Sequence, residues 1–503
     1  MNHLAILPIL LPLLTGLLLL LIPARHQRQI HFLSVLSSVV LVALTATLLV
    51  DAGTGVITVY ALGNWMPPFG IVLVADRLSA LMLVLTSTLA FFSLLYTIAK
   101  DVPHGGQTFH SLVHFLLMGV NGAFLTGDMF NLFVFFEVLL LASYALLLQG
   151  GGLKRAKAGL HYVVLNLIGS AIFLIAVAIL YGLLGTLNMA DMAVRVAALS
   201  PADTPLVAAA AVLLLLVFGL KAAVVPVYFW LPRAYASASA PVAALFAIMT
   251  KVGVYAIIRV YSLIFGSEAG ELAHLAQPWL WPLGLATLLL GVIGVLAAQE
   301  LRMQIAYLLI ISVGTLLAGV ALNSVEALGA TLFYLLHSTW ICAALFLLVD
   351  LIARQRGDAA DQIVSGPALP QSVLLGALFF ITAISVIGMP PFSGFIGKAL
   401  LLQAASGYNA AWLWSVVLMG TLAVMTALSR SGSTVFWRTN ATPMQTTKAD
   451  PWAILAIIGL ASFSLGLMVG GDSVIHYTRA IAEQVLQPRI YIDAVLGHRP
   501  LNQ

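Results

Sequence analysis

The chain is cut into long apolar runs separated by short polar connections, and most of the runs are long enough to cross a bilayer. About 20 apolar residues in a helix match the thickness of the hydrocarbon layer. Lipid offers backbone N–H and C=O groups no partner, so a spanning segment must be a helix or part of a closed barrel. Barrel strands would alternate apolar and polar residues, and these runs do not. The pattern therefore calls for an all-α, polytopic membrane protein. Spans are expected near residues 4–22, 30–50, 75–97, 109–126, 129–148, 160–184, 206–231, 241–265, 276–297, 304–321, 327–352, 372–404, 410–429 and 453–471, fourteen in all. Charged residues are 8% of the 503, and hydrophobic ones 62%. A soluble domain carries about 25% charge, so a water-soluble enzyme is excluded. No connection is long or polar enough for a separate soluble domain, and residues 1–503 read as one integral membrane unit. The first run lacks a basic leader and a small-residue cleavage site, so it reads as a retained span. From about residue 474 the chain is a polar tail with room for one surface helix.

Charge placement orients the chain. The connections after spans 1, 3, 5, 7, 9, 11 and 13 hold Arg25, Arg28, Lys100, Lys154, Arg155, Lys157, Arg233, Arg302, Arg354, Arg356, Arg430, Arg438 and Lys448, thirteen of the 22 Lys and Arg. The connections on the opposite side hold only Arg195, with Arg77 and Arg259 near span ends. Positive loops stay in the cytoplasm, which puts both termini outside and is consistent with a bacterial inner-membrane location. A net charge of +4, spread along the chain, gives nucleic acid no patch to bind. The single Cys342 excludes an internal disulfide and a cysteine-rich metal or iron–sulfur site. Gly150-Gly151-Gly152 lacks the Lys-Ser/Thr of a phosphate loop, so ATP-driven pumping by this chain is not expected. No cofactor or metal is expected.

The residues that carry information are the charges that cannot reach water. Of seven Lys, Lys221, Lys251 and Lys398 sit inside apolar sequence, and of six Glu only Glu137 does. A lysine at the bilayer centre costs roughly 2.5–3.5 kcal/mol on insertion scales, so such groups face partners or water and mark ion paths. One buried lysine could be a static ion pair. Four interior ionisable groups in one chain favour a path. Burial weakens a lysine's hold on its proton and a nearby carboxylate restores it, so Glu137 beside one Lys would make a pair that switches as it opens and closes. Arginine cannot release its proton at all, and none lies at mid-span.

Two of the lysine-bearing helices are interrupted. Lys221 is followed by Pro226 and Pro232, and Lys398 is preceded by Gly388, Pro390, Pro391, Gly394 and Gly397. Proline removes a backbone donor and clashes with the preceding turn, so spans 7 and 12 should break and leave carbonyls free within the membrane. Paired broken helices mark transporters built from inverted repeats. Two five-helix repeats are expected, spans 4–8 (109–265) and spans 9–13 (276–430), after N-terminal spans 1–3 (1–108) and before the last span and tail (431–503).

Three segments now carry a resemblance: Thr126-Gly127-Asp128-Met129-Phe130-Asn131-Leu132-Phe133-Val134-Phe135-Phe136-Glu137, the Lys221 helix ending Trp230-Leu231-Pro232-Arg233, and Gly388-Met389-Pro390-Pro391. They resemble the antiporter-like subunits of respiratory complex I, membrane-bound hydrogenases and the multisubunit Mrp-type cation/proton antiporters. Within that group the chain is most similar to the D subunits of the Mrp (Mnh, Pha) antiporters, notably at Asn166-Leu167-Ile168-Gly169-Ser170 and Leu183-Leu184-Gly185-Thr186-Leu187-Asn188. Lys398 stands where one complex I subunit has Glu, and the long lateral helix of another is missing. The resemblance implies that Glu137 pairs with Lys221, that Lys251 continues a central axis, that His337 bridges the two halves and that Lys398 ends the relay. It also implies protons and Na⁺ or K⁺ as cargo, other membrane subunits as partners in a hetero-oligomer, and a transporter rather than an enzyme. The alternative is a proton-pumping membrane subunit of a complex I-like NADH dehydrogenase or a membrane-bound hydrogenase.

Weaker candidates remain. His110 and His114 have the spacing of a helical metal pair but lack a third ligand, and read as polar residues at a channel mouth. Asp76-Arg77 and Asp128 at span edges read as surface anchors in preference to mouths of half-channels, and His161 is a funnel candidate.

Overall fold

The computed structural model describes residues 3–99, 106–440 and 448–497. Lys100 and the last six residues of the tail lie outside the described residues. The helices, in chain order, begin with α1 (Leu7–Leu21), α2 (Gln27–Gly53), α3 (Arg77–Thr97), α4 (Gly106–Leu125), α5 (Met129–Leu148), α6 (Leu153–Leu184) and α7 (Met189–Ala197). Then come α8 (Thr204–Ala222), α9 (Trp230–Ser237), α10 (Ala240–Leu263), α11 (Gln277–Ala297), α12 (Leu301–Ala321) and α13 (Val325–Gln355). The chain finishes with α14 (Ser372–Ile387), α15 (Ser393–Ala404), α16 (Gly407–Phe436), α17 (Pro451–Val469), α18 (Gly471–Val485) and α19 (Pro488–Leu496). Among the described residues, twelve helices are long and apolar enough to cross a membrane. The shorter apolar helices α1 and α14 fall where spans 1 and 12 are expected.

Burial follows from which helices have neighbours all round. The apolar stretches of α10 and α13 are completely enclosed by protein, whereas α2, α6, α16 and α17 turn most of their apolar surface outward. α13, at about 46 Å, is the central post: it packs against α3, α10, α12, α14, α15, α17 and α18. The sets α4–α5–α6–α8–α10 and α11–α12–α13–α14/α15–α16 each run with consecutive members in contact.

Close approach depends on glycine at a few points. A Cβ at Gly253 of α10 would lie 2.5 Å from the Ala222 backbone nitrogen of α8, and one at Gly314 of α12 would lie 2.4 Å from the Leu288 nitrogen of α11. Small residues let helix backbones meet where lipid supplies no hydrophobic drive between helices.

Asp76 and Asp128 are not surface anchors. Asp76 caps α3, its Oδ1 accepting the Ser79 N–H at 2.8 Å. Its Oδ2 pairs with Arg259 Nη2 at 2.6 Å, with both side chains buried. Asp128 caps α5 in the same way, accepting from the Asn131 N–H at 2.8 Å. Both carboxylates satisfy orphan donors at a helix start, a use that charge position alone does not distinguish from anchoring. A two-stranded antiparallel hairpin, β1 (Thr58–Ala61) with β2 (Val72–Ala75), precedes α3 and is not among the elements expected from the sequence. The tail also departs from expectation by forming two helices, α18 and α19. They lie against the ends of α3, α13, α7 and α10, and are tied there by Arg479–Glu326 and Arg489–Glu268.

Gly253→Val should destabilise the protein by about 1–3 kcal/mol, because α8 and α10 must separate. Gly182→Ala, which would meet nothing within 4 Å, should have no such effect. Thermal unfolding of the two variants in detergent checks this, and equal melting temperatures would refute close packing at Gly253.

Candidate functional site

The breaks in spans 7 and 12 are real, and each sets a lysine beside unspent backbone carbonyls. α8 stops at Ala222, Ala223 takes a left-handed φ of 60°, and α9 starts only at Trp230. Lys221 therefore sits in the last turn of α8, where the negative end of the helix dipole favours a cation. The indole N–H of Trp230 donates at 3.2 Å to the carbonyl of Leu220, which also accepts the Ala223 N–H at 3.1 Å. In span 12, α14 stops at Ile387, Gly388 adopts φ 82°, and α15 starts at Ser393. Lys398, on α15, donates to the freed carbonyl of Ile387 at 2.7 Å and to Thr421 Oγ1 on α16 at 3.0 Å. The two lysines thus lie on opposite halves of their broken helices.

Glu137 and Lys221 are both held by α6. Ser170 donates a short hydrogen bond to Glu137 Oε1. Lys221 Nζ donates to Asn166 Oδ1 at 3.3 Å and lies 5.9 Å from the centre of the Phe136 ring. Asn166 and Ser170 are four residues apart, hence one above the other on the same helix face. Each thereby serves one of the two side chains, which are not in direct contact in any ion pair found among the described residues. Lys221 is 5% exposed and Glu137 is half-buried.

Lys251 is fully buried in α10, about 16 Å from the start of its helix. Its Nζ donates to Ser312 Oγ on α12 at 3.3 Å, and Ser312 donates to Ser338 Oγ on α13 at 2.9 Å. The contact at Gly253 brings the Lys221 and Lys251 helices together backbone to backbone. Ser312 and Ser338 line a narrow cavity that Lys398 and Thr421 also line. This hydroxyl pair and its cavity lie between Lys251 and Lys398.

His337 is engaged elsewhere. Its Nδ1 is 2.8 Å from Ser393 Oγ at the start of α15, and Ser393 is 2.8 Å from Ser464 Oγ on α17. Ser464 in turn meets Ser385 of α14 at 2.7 Å. Nε2 of His337 faces Gly394, where a Cβ would come within 2.6 Å of it. The histidine therefore joins α13, α14, α15 and α17 through hydroxyls.

His110 and His114 both bond Ser34 on α2, at 3.0 and 3.1 Å, and the ring of His31 lies 5.0 Å from that of His110. No group of three or more His, Cys, Asp or Glu suited to a metal ion occurs among the described residues. His161 is exposed and lines a cleft with several cations.

Residues 126–426 match the family described as NADH:quinone oxidoreductase/Mrp antiporter, transmembrane. The chain belongs to that family. A probable K⁺/H⁺ antiporter D subunit of Rhizobium meliloti is 42% identical over 99% of this chain and 98% of its own. An Na⁺/H⁺ antiporter D subunit of Bacillus subtilis is 37% identical over 99% of this chain and all of its own. Among solved structures, a chain of the Mrp complex from Dietzia sp. DQ12-45-1b matches with a TM-score of 0.86 at 30% identity, covering 99% of this chain and 100% of that one. A chain of respiratory complex I from Thermus thermophilus shares the fold, with a TM-score of 0.79 at 24% identity over 96% of this chain and 99% of that one.

In this member of the NADH:quinone oxidoreductase/Mrp antiporter family, the polar atoms that accompany the charges are largely invisible in the sequence. Ser170, Ser312, Ser338, Ser385, Ser393, Thr421 and Ser464 are single hydroxyls within apolar helices. Many hydroxyls in such helices simply bond the carbonyl one turn back, as Thr315 and Thr339 do here. The i, i+4 pairing of Asn166 with Ser170 is the one readable signal.

The Asn166–Lys221 contact is testable by a double-mutant cycle with Asn166→Leu and Lys221→Met. A coupling of about 1.5–3 kcal/mol is expected from thermal unfolding, as for a hydrogen bond to a charged group. A coupling near zero would mean that Asn166 does not hold the ammonium.

Proposed function

We propose that this chain is the proton-translocating subunit of a multisubunit monovalent cation (Na⁺ or K⁺)/H⁺ antiporter. The observation that carries the reading is the row Glu137–Lys221–Lys251–Lys398, each member buried or half-buried and bonded to an amide, a hydroxyl or a freed carbonyl. These partners can accept from an ammonium without fixing it as a carboxylate in direct contact would. Protons would pass along Glu137, Lys221, Lys251 and Lys398 through Ser312, Ser338 and intervening water, with His337 coupling the row to Ser393 and Ser464. When one pair separates, the proton affinity of the next lysine shifts, and that shift links the steps. Two full-length relatives named as antiporter D subunits support assigning Na⁺ or K⁺ exchange, with other membrane subunits as partners.

The internal order of contacts supports two inverted five-helix repeats, residues 109–265 and 276–430, in one membrane domain. The thirteen basic residues on one set of connections support a cytoplasmic location for that face. Both termini would then be periplasmic, in the inner membrane of a bacterium.

The reading is tested in vesicles carrying the assembled complex, by cation-dependent dissipation of a pH gradient. Lys221→Ala and Glu137→Ala should each slow dissipation by at least about 100-fold, the scale of a lost proton-transfer group. Lys221→Arg keeps the charge but cannot release the proton, so it should assemble normally yet fail to transport. Full activity in Lys221→Arg would leave the lysine a structural charge and end the relay.

A further inference from the structure

A cleft of about 790 Å³ opens on the face that carries the basic connections. Its walls are the start of α6, α9, the start of α12 and the turn after α13. Lys154, Arg155, Lys157, Arg233 and Arg302 line it, against two carboxylates, Glu300 and Asp361. Several of these charges are already engaged. Arg155 donates to the carbonyls of Ser237 and Gln149, and Arg302 Nη2 donates to Asp350 at 2.8 Å. Asp361 Oδ2 accepts the Arg302 backbone N–H at 3.2 Å. Lys154, 89% exposed, lies 3.6 Å from Glu300. Lys157 and Arg233 are exposed cations that take part in none of the ion pairs found among the described residues. The cleft is therefore left with an excess of positive charge.

The start of α6 adds to it. Gly150, Gly151 and Gly152 all have positive φ, no side chain caps the helix, and a Cβ at Gly151 or Gly152 would meet nothing within 4 Å. The first N–H groups of α6, at the positive end of its dipole, are thus open to an anion.

An apolar stripe begins in the same place. Leu160 lines the cleft, and Leu153, Leu160, Val164 and Leu167 are 71%, 63%, 45% and 51% exposed. Their spacing of seven, four and three puts them on one outward face of α6, leading from the cleft toward the bilayer interior.

We propose that this cleft binds the phosphodiester headgroup of an anionic phospholipid, cardiolipin or phosphatidylglycerol. Lys154, Lys157, Arg233 and the N–H groups of α6 hold the phosphate, and an acyl chain lies along Leu160, Val164 and Leu167. Basic pockets between helix ends on the cytoplasmic side are suited to such headgroups. A free phosphate shares the headgroup chemistry but makes no use of the stripe. The site is separate from the lysine row and goes beyond the transport reading.

The test titrates the full-length protein, in neutral detergent and within its assembly, with cardiolipin, phosphatidylcholine or inorganic phosphate while following thermal unfolding. Cardiolipin is expected to raise the melting temperature by several degrees, and phosphatidylcholine and millimolar phosphate to leave it unchanged. The variant Lys154→Ala/Lys157→Ala/Arg233→Ala alters three exposed side chains, and its lipid-free melting temperature verifies folding. It should need at least about tenfold more cardiolipin for the same shift. Lys154→Arg/Lys157→Arg/Arg233→Lys should behave as the parent. Absence of a cardiolipin shift in the parent, an undiminished shift in the alanine variant, or an equal shift with inorganic phosphate would each overturn the proposal.

Discussion

An ammonium group held away from water must be given something to bond to, and most of the interior of this protein follows from that need. Moving a lysine into hydrocarbon is costly, and a carboxylate in direct contact with each would lock it in place. The protein instead surrounds Lys221, Lys251 and Lys398 with weak neutral acceptors: an amide oxygen, a serine hydroxyl, and a threonine with a backbone carbonyl. Neutral acceptors stabilise the charged form without opposing loss of the proton as strongly as a carboxylate does. Lys221 and Lys251 are buried and Lys398 half-buried, so these small dipoles act in a medium of low dielectric, where they count for more than in water.

The broken helices serve the same need. An intact helix spends every carbonyl internally, whereas a helix that stops inside the membrane offers its last ones to a neighbour. Lys398 takes the offer directly from Ile387. At the other break the leucine carbonyl is claimed by Trp230, and Lys221 sits on the final turn. The two sites use one device in two forms, which fits their positions on opposite sides of their interruptions.

How much of this is legible in the sequence depends on the length scale of the signal. Span positions are readable because each is set by some twenty residues against a fixed bilayer thickness. The interior lysines and Glu137 stand out because charge in such runs is rare, and the prolines announce both breaks. Single hydroxyls do not stand out, since a serine that bonds its own helix and one that reaches Lys251 are identical letters. Asp76 reads wrongly as an anchor for a related reason: its partner Arg259 lies 183 positions along the chain, and only packing brings them to 2.6 Å. The β1–β2 hairpin falls within a connection too short to show a pattern of its own. Two helices form in the tail where one is expected, because their docking surfaces are supplied by distant spans rather than by local sequence.

Those tail helices bear on the order in which the protein can be completed. Arg77 donates to the carbonyl of Ala480, Tyr477 to that of Leu49, and Gln484 to that of Gly55. Partners more than 400 residues apart cannot meet until all the spans between them have left the ribosome. The early spans must therefore wait in the bilayer with one end unfastened while the later ones are inserted, and α18 acts as the clasp.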